Sequence, residues 1–549
     1  MNQKNFKIDL IWLSDDEPAS HWSLGKTYLC HPEPAAIDNL LKGQLKETFA
    51  DAFLFWESTL GQPPERLIQR LLAGPADVWH AGLKLGLAGQ PYMFNYVQPT
   101  WMLNRDPDPE IAATSWRLSL RACLIRSEVL KQLGGPDPDF GGLAGAGLEM
   151  GNRYIRKGVF IRHCPQMVPG IQIQPSAEIP LIDQLRFMRA CFEQRWLWWS
   201  GFRAALSGEV RPLKFWRTWK RIRNEKTASV QPFRRSVQQS SDVDLNGRVS
   251  VLIPTLRRYP YLRTLLGQLR VQTLPPLEIM VIDQTPEKLR DPDLLRDFDD
   301  LPIRYFTMDQ AGQCTSRNLG IKEAKGDFIL FIDDDDEIEP DLIEKHLVSL
   351  HHFGINISNG VANQVDVENQ PADLDVVYIS SVFPTNNSMV RKSVLEKSGL
   401  FDLAYDHGQR ADHDLGMRLY LAGEMLVLNP DIQVLHHHAP VGGLRQHKAR
   451  VNTRAESRQK LNKFNLSTTS DFYLAKRYYS KEQVKERNWI NLLGTFSLKG
   501  SAWRKCLKMI IGIFYLPRNL WLIKKRSNSA DLLLHDYPQI PSLCQEKLT

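Results

Sequence analysis

Cysteine is scarce and unpatterned in this chain. The seven residues (Cys30, Cys123, Cys164, Cys191, Cys314, Cys506 and Cys544) are odd in number and scattered. That excludes a disulfide framework and any close-spaced zinc motif, and fits the reduced thiols of a cytoplasmic protein. An uninterrupted run of about 18 apolar residues is also missing, so no ordinary membrane-spanning helix is expected. The opening MNQKNFKIDLIWLSDDEP has no basic segment followed by an apolar core, and reads as lacking a secretory signal. With 43% hydrophobic and 24% charged residues in 549, the composition is that of a globular protein. Two or three domains with cores of their own fit that length.

Net charge is small, +7, but it is concentrated. Between Arg195 and Arg235 eleven Lys and Arg stand against Glu209 and Glu225, a local excess of nine. Trp196, Trp198, Trp199, Trp216 and Trp219 lie among these cations. Indoles mixed with cations suit an anionic bilayer surface, and equally a helical connector packed on a neighbouring domain. Nucleic acid is disfavoured, because the cations are confined to one segment and no recognised binding motif accompanies them.

The densest acidic feature is FILFIDDDDEIEPD, residues 328 to 341. Unit charges about 4 Å apart repel by roughly 4 kcal/mol at an effective dielectric near 20, so a fixed carboxylate cluster calls for a cation. Around it, VSVLIPT (249–255), LEIMVID (277–283) and IRYFTM (303–308) are short apolar runs, and YLRTLLGQLRVQ and SRNLGIKEAKG between them have helical spacing. The alternation predicts an open, mostly parallel α/β sheet, in which ligands sit beyond the carboxyl ends of the strands. Asp283 and Asp333 to Asp336 fall at such ends. A nucleotidyltransferase would need a glycine-rich phosphate loop after the first strand, and IPTLRRYP contains none.

VSVLIPTLRR, EIMVIDQTPE, QAGQCTSRNLGIKEAKGDFILFIDDDDEIEPD and SGLFDLAYDHGQRADHDLGMRLYLAG resemble, in order and spacing, the family 2 glycosyltransferases with the GT-A fold, over about residues 249 to 438. The resemblance implies that Asp283 contacts a nucleotide base. It further implies that Asp333, Asp334 and Asp335 form an Asp-X-Asp motif contacting ribose and holding Mg²⁺ or Mn²⁺, and that Asp412 is the catalytic base. The family's usual Glu-Asp pair is Ala411-Asp412 here, so only the second carboxylate is retained. Arg317 and Asp414 are further expected substrate contacts. Of the late histidines in VLHHHAP, His436 and His438 are candidates to complete the metal shell begun by Asp333 and Asp335. The Gln-X-X-Arg-Trp motif of processive members is absent after Asp412, which implies single-sugar transfer.

The chemistry asks for these residue types independently. A nucleotide diphosphate leaving group must have its charge neutralised, which carboxylates and a hard divalent ion accomplish. An acceptor hydroxyl must lose its proton, and a carboxylate opposite the leaving group can take it, with inversion at the anomeric carbon. The alternative for Asp412 is a helix N-cap, since ADHDLGMRLYLAG has helical spacing. After the histidines, GGLRQHKARVNTRAESRQK offers a glycine pair and cations that could fold over a diphosphate, or a solvated basic face.

A second signal is internal. Cys123 to Pro165 aligns without a gap on Ser388 to Pro430 at an offset of 265, pairing Arg126, Gly134, Asp137, Gly151, Arg153 and Gly158 with Arg391, Gly399, Asp402, Gly416, Arg418 and Gly423. DAFLFWEST at 51 looks like DFILFIDDD at 327, with Glu57, Ser58 and Thr59 where the aspartates stand, and Gly147 occupies the position of Asp412. The first half therefore reads as a GT-A-like copy without metal site or base. Finally, CLKMIIGIFYLPRNLWLIKKR from 506 is apolar and basic, and Pro517 and Arg518 should break it short of a spanning length, leaving it to lie in a membrane interface or pack inward.

The expected organisation is a degenerate GT-A-like domain (1–175), a basic aromatic connector (176–245), a catalytic GT-A domain (246–450) and a basic helical region (451–549). The expected activity is metal-dependent, inverting transfer of one sugar to a glycan or lipid-linked acceptor, in the cytoplasm with peripheral contact at the inner membrane face. The competing class is a non-catalytic GT-A-like scaffold that keeps only a nucleotide pocket.

Overall fold

A computed structural model describes residues 5–90, 92–97, 101–225, 230–235, 245, 247–364, 375–439 and 454–543. It contains two mixed sheets. The first is built from β1 (Ile8–Leu13), β2 (Thr27–Cys30), β3 (Ala52–Glu57), β4 (Val78–His80), β5 (Ala113–Thr114), β6 (Ala122–Arg126) and β7 (Ile161–His163), in the order β2-β1-β3-β6-β4-β7-β5. The second uses β8 (Val249–Thr255), β9 (Glu278–Asp283), β10 (Ile303–Thr307), β11 (Phe328–Phe331), β12 (Asp336–Ile338), β13 (Ile357–Gln364), β14 (Tyr378–Ile379), β15 (Ser388–Arg391) and β16 (Leu426–His436). Its order is β10-β9-β8-β11-β15-β13-β16-β12, with β14 paired to β16. The central strands IDLIWL, AFLFWE and EIMVID are apolar almost throughout and buried. Strands covered on both faces require such runs rather than alternation.

The two sheets share one plan. Six strands of the first, β2-β1-β3-β6-β4-β7, follow the order and directions of β9-β8-β11-β15-β13-β16 in the second. Registers agree as well: Ala52 faces Arg126 and Phe328 faces Arg391. Ala113 faces His163, and Tyr378 faces Leu428, each partner 265 residues along. Gly134 and Gly399 end short helices with φ of 76° and 79°, a conformation that suits glycine. Arg153 donates to the carbonyls of Leu133 and Gly135 and pairs with Glu149, while Arg418 donates to Ser398 and Gly399 and pairs with Asp414. Between the halves, Phe160 meets Phe353 edge-on at 5.5 Å, and the Arg235 guanidinium lies 3.6 Å over the Phe160 ring.

The basic aromatic segment forms helices Gln194–Leu206 and Pro212–Ile222. Trp196, Trp198, Trp199 and Trp219 pack on the core of the first half, whereas Trp216 remains exposed. The helix expected to break at Pro517 does not. Helix Ala502–Asp536 runs 35 residues through that proline, about 52 Å at 1.5 Å per residue. An interior proline removes one hydrogen bond at about 3 kcal/mol, a cost borne here by a helix anchored along its length through buried Lys508, Gly512, Asn519 and Ala530. By length and composition this helix could cross a membrane. Cys30, Cys123, Cys164, Cys191 and Cys314 are buried free thiols and Cys506 is exposed.

Candidate active site

Strands β8 and β11 are parallel neighbours and deliver the acidic run to the carboxyl edge of the second sheet. There a cleft of about 290 Å³ is lined by Thr255, Arg258, Arg317, the Asp333–Asp335 run, His436 and His438. The four consecutive aspartates do not share one fate. Asp333 accepts from Arg317 at 2.7 Å. Asp334 accepts from the Thr255 hydroxyl at 2.7 Å and from Arg258 at 2.9 Å. Asp335 takes the same Arg258 nitrogen at 2.8 Å on one oxygen and the Ala439 N–H at 2.8 Å on the other. Asp336 turns inward with β12 and meets His436 Nδ1 at 2.7 Å.

These pairings resolve the crowding of charge. Burial pushes the Asp334 carboxyl up to about 6, although Arg258 pulls the other way. Burial likewise raises Asp336, opposed by its hydrogen bond from His436. Burial lowers the His436 imidazole, but the hydrogen bond and charge of Asp336, with Asp335 and Asp333 beyond, hold it above its usual range. His437 points to Glu337 at 2.6 Å, so of the three histidines His436 and His438 face the cleft, with ring centroids 4.3 Å apart.

Backbone strain gathers at the same place. Among the described residues, the non-glycine positions with left-handed backbone are Arg257 (φ 58°), Arg410 (φ 84°) and His438 (φ 51°). They adjoin Arg258, precede Asp412 by two residues, and line the cleft itself. Such conformations cost of order 1–3 kcal/mol each and concentrate at functional sites.

Arg317, Asp333, Asp334, Asp335, His436 and His438 thus come together. Asp283, Asp412 and Asp414 are not among the cleft's lining. Asp283 is fully buried, accepting from the Tyr259 and Tyr305 hydroxyls and the Thr285 N–H, while its neighbour Gln284 reaches the cleft. Asp414 is buried with both oxygens engaged, by Arg418 at 2.9 Å and Tyr478 at 2.7 Å. Asp412 lies inside the first turn of helix Ala411–Leu421, whose N-cap is Arg410, and so is not the cap. Its carboxylate, about one-third exposed, meets His413 Nδ1 at 3.0 Å. Burial raises its pKa, yet the His413 hydrogen bond and charge, with Arg410, hold it below the ordinary range. Its carbonyl takes the N–H of Phe383, two residues before the cleft residue Thr385.

The donor chemistry of Asp333, Asp335, His436 and His438 suits a divalent ion. Their arrangement here is not a closed cage: among the described residues no group of three or more His, Cys, Asp or Glu converges on one point, and Arg258 supplies the local positive charge. Sequence reasoning missed Arg258 and the inward turn of Asp336. A single arginine after β8 carries no periodic signal, although IPTLRRYP did place two cations at a strand end. The glycine pair and cations at 442–453 lie outside the described residues.

Residues 250–396 match the model of Glycosyl transferase family 2. The stretch from β8 to β15 therefore carries the family 2 glycosyltransferase signature. Its sheet, with carboxylates at the ends of the parallel strands β9 and β11, has the open α/β arrangement expected from the sequence. The chain is similar to the uncharacterized glycosyltransferase YwdF of Bacillus subtilis, 29% identical over 168 residues, covering 28% of this chain and 62% of that protein. It is also similar to poly(ribitol-phosphate) beta-N-acetylglucosaminyltransferase TarS of Staphylococcus aureus, 30% identical over 114 residues and 20% of each chain. These matches span less than two thirds of either relative. Among solved structures, mannosyltransferase PcManGT of Pyrobaculum calidifontis with GDP-Man and Mn²⁺ aligns over 61% of this chain and 95% of that one, with 18% identity and a TM-score of 0.37.

In the first half the corresponding ground is occupied differently. Glu57 accepts from Arg121 at 2.7 Å and from Thr59 at 2.6 Å, and Arg121 also donates to Gln174 at 2.6 Å. At Gly147, the counterpart of Asp412, an added methyl would stand 2.4 Å from the Leu118 carbonyl oxygen. No carboxylate fits there without moving the backbone.

Proposed function

We propose that residues 246–450 catalyse transfer of one sugar from a nucleotide-diphosphate sugar to a hydroxyl of a glycan or lipid-linked acceptor, with inversion, in the assembly of a surface polysaccharide or glycolipid. The observation that carries this reading is the convergence of Asp333, Asp334 and Asp335 with Arg258, Arg317 and His436 in one cleft of a family 2 domain. In this reading the enzyme works in the cytoplasm, peripheral at the inner membrane face. Residues 1–175 are a catalytically empty copy, 176–245 a connector and 451–549 a helical region.

Asp335 and His438, with Asp333 and His436 at hand, would hold Mg²⁺ or Mn²⁺. When bound, that ion would neutralise the diphosphate leaving group. In this reading Asp334 contacts the ribose, and Asp283, buried at the strand end, supports Gln284 as it contacts the nucleotide. Arg258 must release Asp335 for an ion to bind there, and its freed guanidinium then suits a phosphate oxygen. Asp412 takes the acceptor proton. Its lowered pKa keeps it ionised at neutral pH, which a base requires. Asp414 acts behind it, through Arg418, by holding helix Ala411–Leu421 in place.

The Arg258 bridge also favours a second reading, a nucleotide-binding scaffold without turnover, since the bridge leaves Asp335 already neutralised. A panel of UDP- and GDP-sugars assayed for hydrolysis with and without Mn²⁺ separates the two. Hydrolysis of one donor, metal-dependent and abolished in Asp335→Ala along with metal-dependent nucleotide binding by calorimetry, supports the enzyme. Nucleotide binding without any hydrolysis or transfer supports the scaffold, and unchanged metal-dependent affinity in Asp335→Ala removes that residue from the metal site.

A further inference from the structure

Helix Ala502–Asp536 is amphipathic the wrong way round for a helix bathed in water. The side it turns to the protein carries Lys508, Gly512 and Asn519, all buried. Lys508 Nζ donates to the carbonyls of Lys463 at 2.7 Å, Lys460 at 2.8 Å and Ser457 at 3.2 Å, and Arg526 donates to Ser467 at 2.9 Å. The side it turns outward carries Trp503, Ile510, Ile513, Phe514 and Trp521, between 59% and 80% exposed. These positions recur at helical spacing and form one stripe. Water on that stripe is unfavourable by roughly 25 cal/mol per Å² of apolar surface.

We infer that this stripe is a membrane-docking face, lying in the plane of an anionic bilayer. Three observations select that occupant. From Ala502 to Ala530 the helix contains no Asp or Glu and seven cations, Arg504, Lys505, Lys508, Arg518, Lys524, Lys525 and Arg526. Acidic headgroups complement such a helix, whereas a second copy of it would bring cations against cations. Trp503 and Trp521 stand at the two ends of the stripe, and indoles prefer the interface between lipid and water. The opposite face is bonded to the protein from Lys508 to Arg526, so lipid cannot surround the helix as it surrounds a spanning one. The preceding helix Lys481–Gly494 also exposes Trp489 and Leu493, and Phe496 after it packs at Gly512 on the side turned to the protein.

The inference deepens the membrane-side reading given above by naming its surface, and its readout needs no sugar transfer, so either can fail alone. Full-length protein is floated with phosphatidylethanolamine–phosphatidylglycerol vesicles and with phosphatidylcholine vesicles. Binding to the anionic vesicles is expected, weakened at least tenfold by Ile510→Glu with Phe514→Glu, without a change in melting temperature because both side chains are exposed. Lys524→Glu with Lys525→Glu should reduce binding to anionic vesicles and leave the melting temperature alone. Three results overturn the proposal: vesicle binding indifferent to both double variants; no vesicle binding together with a dimer that the Ile510/Phe514 variant makes monomeric; or retention in the membrane after alkaline carbonate, which marks a spanning helix.

Discussion

Gly158 and Gly423 hold equivalent places in the two halves, 265 residues apart, and each abuts the backbone of the other half. A methyl group on Gly158 would lie 3.0 Å from the Val377 carbonyl oxygen, and one on Gly423 would lie 2.5 Å from the Ala112 carbonyl oxygen. Ala112 and Val377 are themselves 265 apart. A contact of i with j repeated as j with i is the mark of a two-fold interface. The halves of this chain are joined as the subunits of a symmetric dimer are joined.

Gly423→Ala should therefore loosen the junction. The residue has φ of 90°, a conformation costing an alanine about 1–2 kcal/mol, and the Ala112 carbonyl must also move. A fall in melting temperature of about 1–3 °C is expected, since each kcal/mol moves the midpoint by only about 1 °C in a chain of this length. Gly267→Ala, in helix Tyr259–Leu269 with nothing within 4 Å of an added methyl, is the control and should melt no lower than the parent. An unchanged melting temperature for Gly423→Ala would discard the close contact.

Asp412→Asn keeps the shape of the side chain and cannot accept a proton. Donor affinity by calorimetry should stay within about twofold, while transfer falls by roughly 10²–10⁴. Near-normal turnover would return Asp412 to a purely helical role.

Glu57→Ala tests the proposal that the first half is a catalytically empty copy. Glu57 is tied to Arg121 and Thr59, and Ser58 and Thr59 make a poor site for a hard cation. Metal-dependent nucleotide binding and turnover should remain within about twofold of the parent. Loss as complete as in Asp335→Ala would make the first half a second working site.

His346 sets an acid limit on stability. Asn387 gives its amide hydrogens to the Val361 and Ile432 carbonyls, so its oxygen accepts the His346 Nε2–H, and Nδ1 accepts the Ser358 hydroxyl. Burial holds this imidazole down at about 4. An unfolded imidazole titrates near 6.5 and takes up its proton first as pH falls. The contribution is therefore intact above about pH 6.5 and is lost progressively towards pH 4, amounting to about 3 kcal/mol. His346→Gln should flatten the loss of melting temperature across that window, while buried His80 and His163, held at about 3 and about 4, keep part of it. An identical slope in the variant would show that His346 does not titrate there.

Much of the second sheet was legible because buried strands are spelled as apolar runs: VSVLIPT corresponds to β8 residue for residue. The place of Asp333 to Asp335 at a strand end was legible too, whereas Arg317, inside helix Gln313–Glu323, was expected only from the family resemblance. What could not be read was orientation. Asp336 belongs to the same run as Asp335 and faces the interior because β12 pairs with β16 there, a long-range register no local pattern encodes. Pro517 misled for a related reason, since local propensity overstates its effect in a helix anchored on one face by tertiary contacts. Four of the connector's five tryptophans pack inward, an outcome composition left open.

A symmetric junction made of two identical chains obliges every substitution to appear on both sides at once. Made within one chain, it lets each side drift alone while dilution never parts them. Glu57, Ser58 and Thr59 can stand in one half opposite Asp333, Asp334 and Asp335 in the other because inheritance of the two faces was uncoupled. A change in one copy then leaves the other as it was.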